Sequence, residues 1–235
     1  MNHHNKQHSF TDCLSCLLDT ECMINNDISE ILSEGNKLRY QTYKSETMEL
    51  KSNLQKFNPQ TILDVWSGAG RIIQTCAVEL PEANIYWVEL DDKHNEFLKN
   101  RFQINLNVKI IHEDINNFLS KTDQKFDMIL CMMNTISCFD EPTEIVQKLL
   151  QHWKYAVFTT CNEKYNLERM LMYQARGHKK ITFDGKQYCL DDERSPWLKS
   201  RGRSEEELYE MVEKAWWKII EFKELWILFY VILKS

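Results

Sequence analysis

Length, composition and charge exclude several classes of protein. The chain has 235 residues, of which 43% are hydrophobic, and this is enough for one domain with a single large core. Its formal net charge of -6 disfavours a protein that binds nucleic acid, because neutralising phosphates requires clustered Lys and Arg. The longest apolar run, residues 226–233, is far shorter than the roughly 18 residues of a membrane span.

The cysteines indicate a reduced environment. Five of the eight are scattered through segments with helix or strand patterns, where a thiol behaves as a small apolar group: Cys76, Cys131, Cys138, Cys161 and Cys189. The chain opens with Asn, His and Gln, without the charged and apolar succession of a signal peptide. We therefore predict a cytoplasmic protein that does not contact a membrane.

Residues 1–57 are predicted to form a helical lid that begins with a disordered tail. Residues 1–8 are polar, and residues 10–57 carry apolar side chains at helical spacing, which predicts two or three helices. Cys13, Cys16 and Cys22 include a Cys-x-x-Cys pair, which is half of a zinc site, but no second pair has ligand spacing. Their leucine neighbours suit a helix face, so no bound metal is predicted.

Beyond Pro59 short apolar runs alternate with amphipathic stretches. The predicted strands are residues 61–66, 85–90, 108–112, 126–132 and 156–160. The predicted helices between them are residues 71–79, 93–103, 115–119 and 143–152. Strict alternation favours parallel pairing in a doubly wound sheet that is covered on both faces. Ligands of such sheets bind beyond the carboxyl ends of the strands.

The last third of the chain departs from this alternation. Residues 165–174 indicate a helix, residues 180–190 a hairpin that turns at Asp184 and Gly185, and residues 204–217 a helix in which Ser204 and Glu207 have capping-box spacing. Two final strands, near residues 218–224 and 226–234, are separated by so little chain that they should pair antiparallel.

These patterns together predict an α/β fold. Its sheet is doubly wound, seven-stranded and mostly parallel with a reversed last strand, and the N-terminal helical lid is added to it. The ligand-binding domain is predicted over residues 58–235, and residues 163–215 form an insertion that covers the substrate.

A glycine-containing turn lies where the first predicted strand meets its helix. Two of the six glycines of the chain, Gly68 and Gly70, fall in the segment Leu-Asp-Val-Trp-Ser-Gly-Ala-Gly-Arg at residues 63–71. Glycine lets the backbone turn sharply and lets a ligand approach closely, and the following helix offers free N–H groups to a carboxylate.

Carboxylates lie at the ends of three successive predicted strands. Asp64 lies near the end of the first strand, Glu89 ends the second, and Asp114 follows the third. Glu89 comes 19 residues after Gly70, close to the separation of about 20 at which an acidic side chain reaches ribose hydroxyls. Asp114 is able to accept from an adenine amino group.

Charge favours one nucleoside ligand over another. A dinucleotide pyrophosphate requires a third small residue, where this chain has Ile73, and Asp64 would repel it. A ligand with adenosine at one end and a cationic ammonium and sulfonium at the other would be attracted to Asp64. S-adenosylmethionine meets this description.

Residues 64–71 resemble the first motif of class I S-adenosylmethionine-dependent methyltransferases, and the resemblance covers roughly residues 55–235. It implies that Gly68 and Gly70 face the methionine portion, that Glu89 binds the ribose, and that Asp114 and Ile115 bind the adenine. Trp66 departs from the motif, in which glycine is commoner. The cofactor-binding residues that the resemblance implies are Asp64, Trp66, Ser67, Gly68, Gly70, Arg71, Glu89, Leu90, Asp114, Ile115 and Met132.

The acceptor is predicted to be a small molecule with a nucleophilic nitrogen or oxygen. Residues 134–137, Asn-Thr-Ile-Ser, do not match the Asn-Pro-Pro-aromatic segment of enzymes that methylate base amino groups. Residues 132–139 are more similar to small-molecule N-methyltransferases of the glycine and sarcosine type. A protein or RNA methyltransferase, or a non-catalytic module that binds S-adenosylmethionine, stays an open alternative.

Methyl transfer from a sulfonium is a direct displacement, so alignment and exclusion of water can supply most of the catalysis. The residues predicted near the reacting atoms are Asn134, Tyr43 and Tyr40. His178 and Trp197 are further candidates, although a lone histidine is more often a surface residue and an aromatic at helical spacing more often belongs to the core. Arg201 and Arg203 could clamp an acidic substrate, although a solvated loop is the favoured interpretation of their segment.

Overall fold

The computed structural model describes residues 34–66, 68, 70–102, 107–139, 142–175, 178, 180–190 and 198–234. Several sequence predictions lie outside these residues. They concern the N-terminal tail, the helices before residue 34, Ser67, Trp197, and metal binding at Cys13, Cys16 and Cys22. No described helix is long and apolar enough to cross a membrane.

Helix α1, Glu34–Phe57, forms the described part of the region over which two or three helices were predicted. It ends where Asn58 takes a positive φ of 43° and Pro59 follows. Leu50 and Leu54 are fully buried, so one side of α1 packs into the core of the domain.

The central part alternates strand and helix as predicted, with ends that differ by a few residues. The elements are β1 Thr61–Val65, α2 Arg71–Glu79, β2 Asn84–Glu89, α3 Asp92–Phe102, β3 Val108–His112, α4 Ile115–Lys121, β4 Phe126–Cys131, α5 Pro142–Leu150 and β5 Trp153–Asn162. Short 3-10 segments at Thr135–Cys138 and Glu163–Tyr165 follow β4 and β5.

The last third contains α6 Asn166–Ala175, β6 Ile181–Phe183, β7 Gln187–Leu190, β8 Leu198–Arg203, α7 Glu205–Lys214, β9 Lys218–Leu225 and β10 Leu228–Lys234. The predicted hairpin is confirmed, because β6 pairs antiparallel with β7 and Gly185 turns with φ 97°. The predicted cap is confirmed too: the N–H of Glu207 donates to the Ser204 hydroxyl at 3.1 Å.

The seven predicted strands form a sheet in the order β3-β2-β1-β4-β5-β10-β9, in which β10 is antiparallel to both of its neighbours. The predicted parallel sheet with a reversed last strand is therefore confirmed. Apolar side chains are buried on both faces of it. Leu63 and Val65 pack on the face that carries α4, α5 and α7, and Ile62 packs on the face that carries α1, α2 and α3.

Three further strands extend this sheet at its carboxyl edge. One edge of β5 pairs with β4 as far as Phe158 and then with β8, which aligns Gly202 with Cys161, while β10 pairs with the other edge. Strand β8 therefore lies beyond the end of β4. Strands β7 and β6 continue outward from β8.

Candidate cofactor and acceptor site

The turn after β1 has the conformation that glycine permits. Gly68 and Gly70 have φ values of 59° and 82°, in the left-handed region. A Cβ at Gly70 would also lie 2.5 Å from Cδ2 of Leu98, so helix α3 packs directly against this backbone. Trp66 adopts φ 56° as well, where a glycine is commoner in the motif, and its ring stacks on Phe139 at 4.7 Å.

Asp64 is completely buried in β1. Burial raises the pKa values of the Cys76 and Cys131 thiols, and the nearby charge of Asp64 adds to the effect at both. The two thiols are therefore neutral at physiological pH and act as packing groups beside the carboxylate.

Glu89 ends β2 with its carboxylate held in a fixed direction. Oε1 accepts hydrogen bonds from the backbone N–H groups of Leu90 and Asp91 at 2.8 and 2.9 Å. Oε2 lies 3.9 Å from Nδ1 of His94 and accepts no hydrogen bond from the described residues. Burial raises the pKa of Glu89, while the two backbone bonds and His94 oppose the shift. One oxygen is thus oriented by the turn, and the other keeps its capacity to accept a hydrogen bond among the described residues.

His94 is a neighbour of the site that the sequence analysis did not identify. It lies in the first turn of α3, where its N–H donates to the Asp91 carboxylate at 2.8 Å, as in an N-cap. Its Cε1 lies 4.0 Å from the position that a Cβ on Gly68 would occupy. The ring therefore reaches from Glu89 to the glycine turn. The capping residue Asp91 was the available signal, because it places the third residue after it at the start of a helix.

Asp114 follows β3 and caps α4. One carboxylate oxygen, Oδ1, accepts from the N–H groups of Asn116 and Asn117 at 2.8 and 3.3 Å, and Ile115 is buried beside it. Leu90, by contrast, leaves 53% of its surface exposed next to Glu89. Since β1, β2 and β3 are adjacent and parallel, their carboxyl ends bring the three predicted carboxylates to one edge of the sheet.

Arg71 connects the glycine turn to α1. Its guanidinium donates to the Thr47 hydroxyl at 2.7 Å, forms an ion pair with Glu46, and lies 4.9 Å from the centre of the Tyr43 ring. Tyr40 lies one turn earlier on the same helix and is half-buried. The predicted cofactor residue Arg71 therefore uses its charge within the protein.

Glu46 makes further contacts from the same buried position. Its Oε1 accepts from the backbone N–H of Met133 at 2.8 Å and from the Thr159 hydroxyl. With Arg71 on its other oxygen, this single carboxylate joins α1 to the start of α2, to the turn after β4 and to the interior of β5.

Asn134 lies just past β4 in a strained turn. Met133 and Asn134 have positive φ values of 53° and 64°, and Met132 before them is buried. The side-chain oxygen of Asn134 accepts from Thr160 Oγ1 at 3.0 Å and from the Cys161 N–H at 2.9 Å, and its amide donates to Ser200 Oγ at 2.9 Å. Asn134 is only 5% exposed. Its polar atoms are therefore occupied in fastening β4 to β5 and β8.

A buried arginine holds β8 against α6. Arg169 is 1% exposed and donates to the carbonyl of Ser200 at 2.7 Å and to Asn166 Oδ1 at 2.7 Å. The Tyr173 hydroxyl bonds Ser200 Oγ, and burial raises the pKa of Tyr173 to about 12. His178 is 7% exposed and packs edge-on against Tyr173. His178 is thus a core residue behind β8.

Arg201 and Arg203 lie in strand β8, so the favoured interpretation of their segment as a solvated loop is wrong. The segment pairs with β7 along its length and with β5 at its end, which draws it into the sheet. Arg203 is only 6% exposed.

Among the described residues, no group of His, Cys, Asp and Glu could hold a metal ion.

The fold and the site define a class. A seven-stranded sheet with a reversed strand, a glycine turn after β1 and carboxylates at the carboxyl ends of β1, β2 and β3 form the Rossmann-like architecture of methyltransferases. A family model described as a methyltransferase domain matches residues 62–155. The matched domain and the fold are those of class I S-adenosylmethionine-dependent methyltransferases, and S-adenosylmethionine is the methyl donor of that class.

Solved structures share the fold at low sequence identity. A methyltransferase from Clostridium acetobutylicum superimposes with a TM-score of 0.62 at 15% identity, covering 98% of this chain and 99% of its own. The CcbJ methyltransferase from Streptomyces caelestis gives 0.54 at 12%, covering 74% and 83%. An O-methyltransferase of neocarzinostatin biosynthesis, in complex with S-adenosylmethionine and 2-hydroxy-5-methyl naphthoic acid, gives 0.54 at 10%, covering 80% and 56%. The comparison with curated protein sequences finds no match.

Proposed function

We propose that the protein transfers the methyl group of S-adenosylmethionine to a nitrogen or oxygen atom of a small molecule. The observation that supports this best is the cover that the chain itself provides over the end of β4. Helix α1 contacts Met133 through Glu46, and β8 contacts Asn134 through Ser200. Segments that lie across the acceptor side of the site favour a small acceptor over a folded protein or an RNA.

The residues at the carboxyl edge fit the cofactor. Oε2 of Glu89 is positioned to accept from the ribose hydroxyls, and the half-exposed Leu90 offers an apolar surface beside it. The backbone at Gly68 and Gly70 leaves room for a close approach of the methionine portion. Asp114 and Ile115 would receive the adenine, because Oδ2 of Asp114 accepts no hydrogen bond from the described residues.

The bound cofactor supplies a sulfonium-activated methyl group, which the acceptor displaces directly. The protein contributes alignment and exclusion of water. Asn134 acts in this proposal as a positioning residue, since its side chain fixes the turn after β4 and is buried. In this proposal Tyr40 and Tyr43 on α1 line the acceptor site, and the contact with Arg71 fixes the ring of Tyr43.

Charge and relatives support a small acceptor as well. The net charge of -6 disfavours a nucleic acid as the acceptor, because neutralising phosphates requires clustered Lys and Arg. One structure that shares the fold holds a naphthoic acid together with S-adenosylmethionine. We also infer a cytoplasmic location, because the five cysteines within the described residues are free thiols.

The test is a screen of fractionated small-molecule extracts for release of S-adenosylhomocysteine by the purified protein. The proposal expects release with one or a few low-mass fractions and a product that carries one added methyl group. Release that requires a protein or RNA fraction would favour a macromolecular acceptor. Cofactor binding without release in any fraction would favour a non-catalytic binding module.

A further inference from the structure

Arg203 is a buried guanidinium that has no partner within the part of the chain that the structure describes. It is the last residue of β8 and only 6% exposed, yet it makes no hydrogen bond or ion pair with the residues that the structure describes. Its Nε is buried and unbonded. Buried charges are normally paired, because removing a charge from water is costly unless an opposite charge or hydrogen bonds compensate.

The charges around Arg203 do not balance. Arg201 lies two residues earlier on the same face of the strand and forms an ion pair with Glu207 of α7. Burial lowers the pKa of Arg203, the charge of Arg201 lowers it further, and Glu207 opposes both. Among the described residues, two guanidinium groups therefore face one carboxylate, and one of the two positive charges has no counter-charge there.

The opposite face of β8 is occupied. Arg169 donates to Ser200, and a Cβ at Gly202 would lie 2.4 Å from Nη1 of Arg169. Arg201 and Arg203 therefore point away from α6.

Arg203 lies on the side of the sheet edge where the methyl acceptor is proposed to bind. Arg203 pairs with Asn162 at the carboxyl end of β5, beyond the last residue of β4, and β8 packs against the 3-10 segment Thr135–Cys138. Ligands of doubly wound sheets bind at this rim, next to the strand ends.

We propose that Arg203, assisted by Arg201, forms an anion subsite that binds a carboxylate on the methyl acceptor. The inference rests on the proposed function and narrows its substrate class to acidic small molecules. A guanidinium suits this role, because its planar donors match a carboxylate in two parallel hydrogen bonds. S-adenosylmethionine also carries a carboxylate, so the experiment must distinguish binding of the acceptor's carboxylate from binding of the cofactor's.

The experiment compares Arg203→Met with Arg101→Met, which removes one positive charge from α3, where Arg101 bonds Gln74. Both variants and the unaltered protein are given pairs of amines and phenols that differ only in a carboxylate or the corresponding primary amide. We expect the unaltered protein and Arg101→Met to prefer acids in kcat/KM by about tenfold or more, the scale of one charge-assisted hydrogen bond. Arg203→Met should lose this preference through KM.

Two binding measurements keep the inference testable if no member of the panel is methylated. Calorimetry with benzoate, on protein saturated with S-adenosylhomocysteine, should show binding that weakens about tenfold in Arg203→Met and stays unchanged in Arg101→Met. Calorimetry with S-adenosylmethionine should give the same Kd for all three proteins. Benzoate binding without turnover of any small molecule would refute the proposed function and leave the anion subsite standing.

Three results would overturn the inference. An equal preference for acids in Arg203→Met, or equal benzoate binding, would show that the arginine binds no acceptor anion. A tenfold weaker Kd for S-adenosylmethionine, with benzoate binding unchanged, would assign the arginine to the cofactor's own carboxylate. A lower melting temperature of Arg203→Met with unchanged selectivity would assign it a purely structural role.

Discussion

The ion pair between Glu46 and Arg71 offers a prediction whose size follows from the structure. The Glu46 side chain is fully buried and that of Arg71 is 11% exposed, and Glu46 also accepts from Met133 and Thr159. In Glu46→Gln, an NH2 group replaces one of the two carboxylate oxygens. In one orientation this group meets the guanidinium of Arg71, and in the other it meets the donors of Met133 and Thr159. In both orientations Arg71 loses its counter-charge. Breaking a buried pair in this way costs about 3–5 kcal/mol.

For a domain of this length, that loss lowers the melting temperature by roughly 6–20 °C, at about 2–4 °C per kcal/mol. Thermal and urea unfolding followed by circular dichroism measure it. The matched control is Glu79→Gln, which removes a carboxylate paired with the exposed Lys51 at 3.0 Å and should cost less than about 1 kcal/mol. In an Arg71→Met background, Glu46→Gln should cost much less than alone. Equal losses for Glu46→Gln and Glu79→Gln would refute the role given to the buried pair.

The remaining predictions concern cofactor binding and the packing of helix α1, which covers the end of β4. Glu89→Ala should weaken S-adenosylmethionine binding by about 1–3 kcal/mol, measured by calorimetry, and an unchanged Kd would remove Glu89 from the ribose. Because burial raises the pKa of Glu89, protonation should weaken cofactor binding as the pH falls, beginning at a higher pH than for an ordinary glutamate, and Glu89→Gln should flatten that profile. Gly35→Ala should separate α1 from α6, since its Cβ would lie 2.2 Å from the carbonyl oxygen of Leu171. Proteolysis should then cut α1 faster, and unchanged protection would contradict the packing.

The sequence predicted the sheet well because its strands are buried on both faces. Strand β3 and helix α2 have the predicted bounds, and β10 pairs as its short connection to β9 requires. Continuous apolar runs and a change of period are local signals, so they are visible without tertiary information.

Strand β8 was missed because its sequence, Leu-Lys-Ser-Arg-Gly-Arg, has neither alternation nor β-branched residues. It becomes a strand through pairing with β7 and with the last two residues of β5. Those last residues of β5 lay outside the predicted strand for the same reason. Pairing between distant segments leaves little trace in the sequence of either one.

The site was predictable in position and less so in the direction of its side chains. The glycine turn and the three carboxylates lie at one edge, as their spacing indicated. Arg71 instead forms an ion pair with Glu46, a residue that carried no local signal on a helix rich in charged side chains. Asn134 is bonded on both sides of its amide, because β8 covers a turn that the sequence left open.

The central claim is methyl transfer to a small molecule at the carboxyl edge of the sheet. Its most direct test supplies S-adenosylmethionine with a labelled methyl group, together with a whole-cell extract, and follows the label after size separation. The account predicts label in low-mass products, formed in step with S-adenosylhomocysteine and lost with Glu89→Ala. Label found only in protein or nucleic acid, or no transfer by a protein that binds the cofactor, would contradict it.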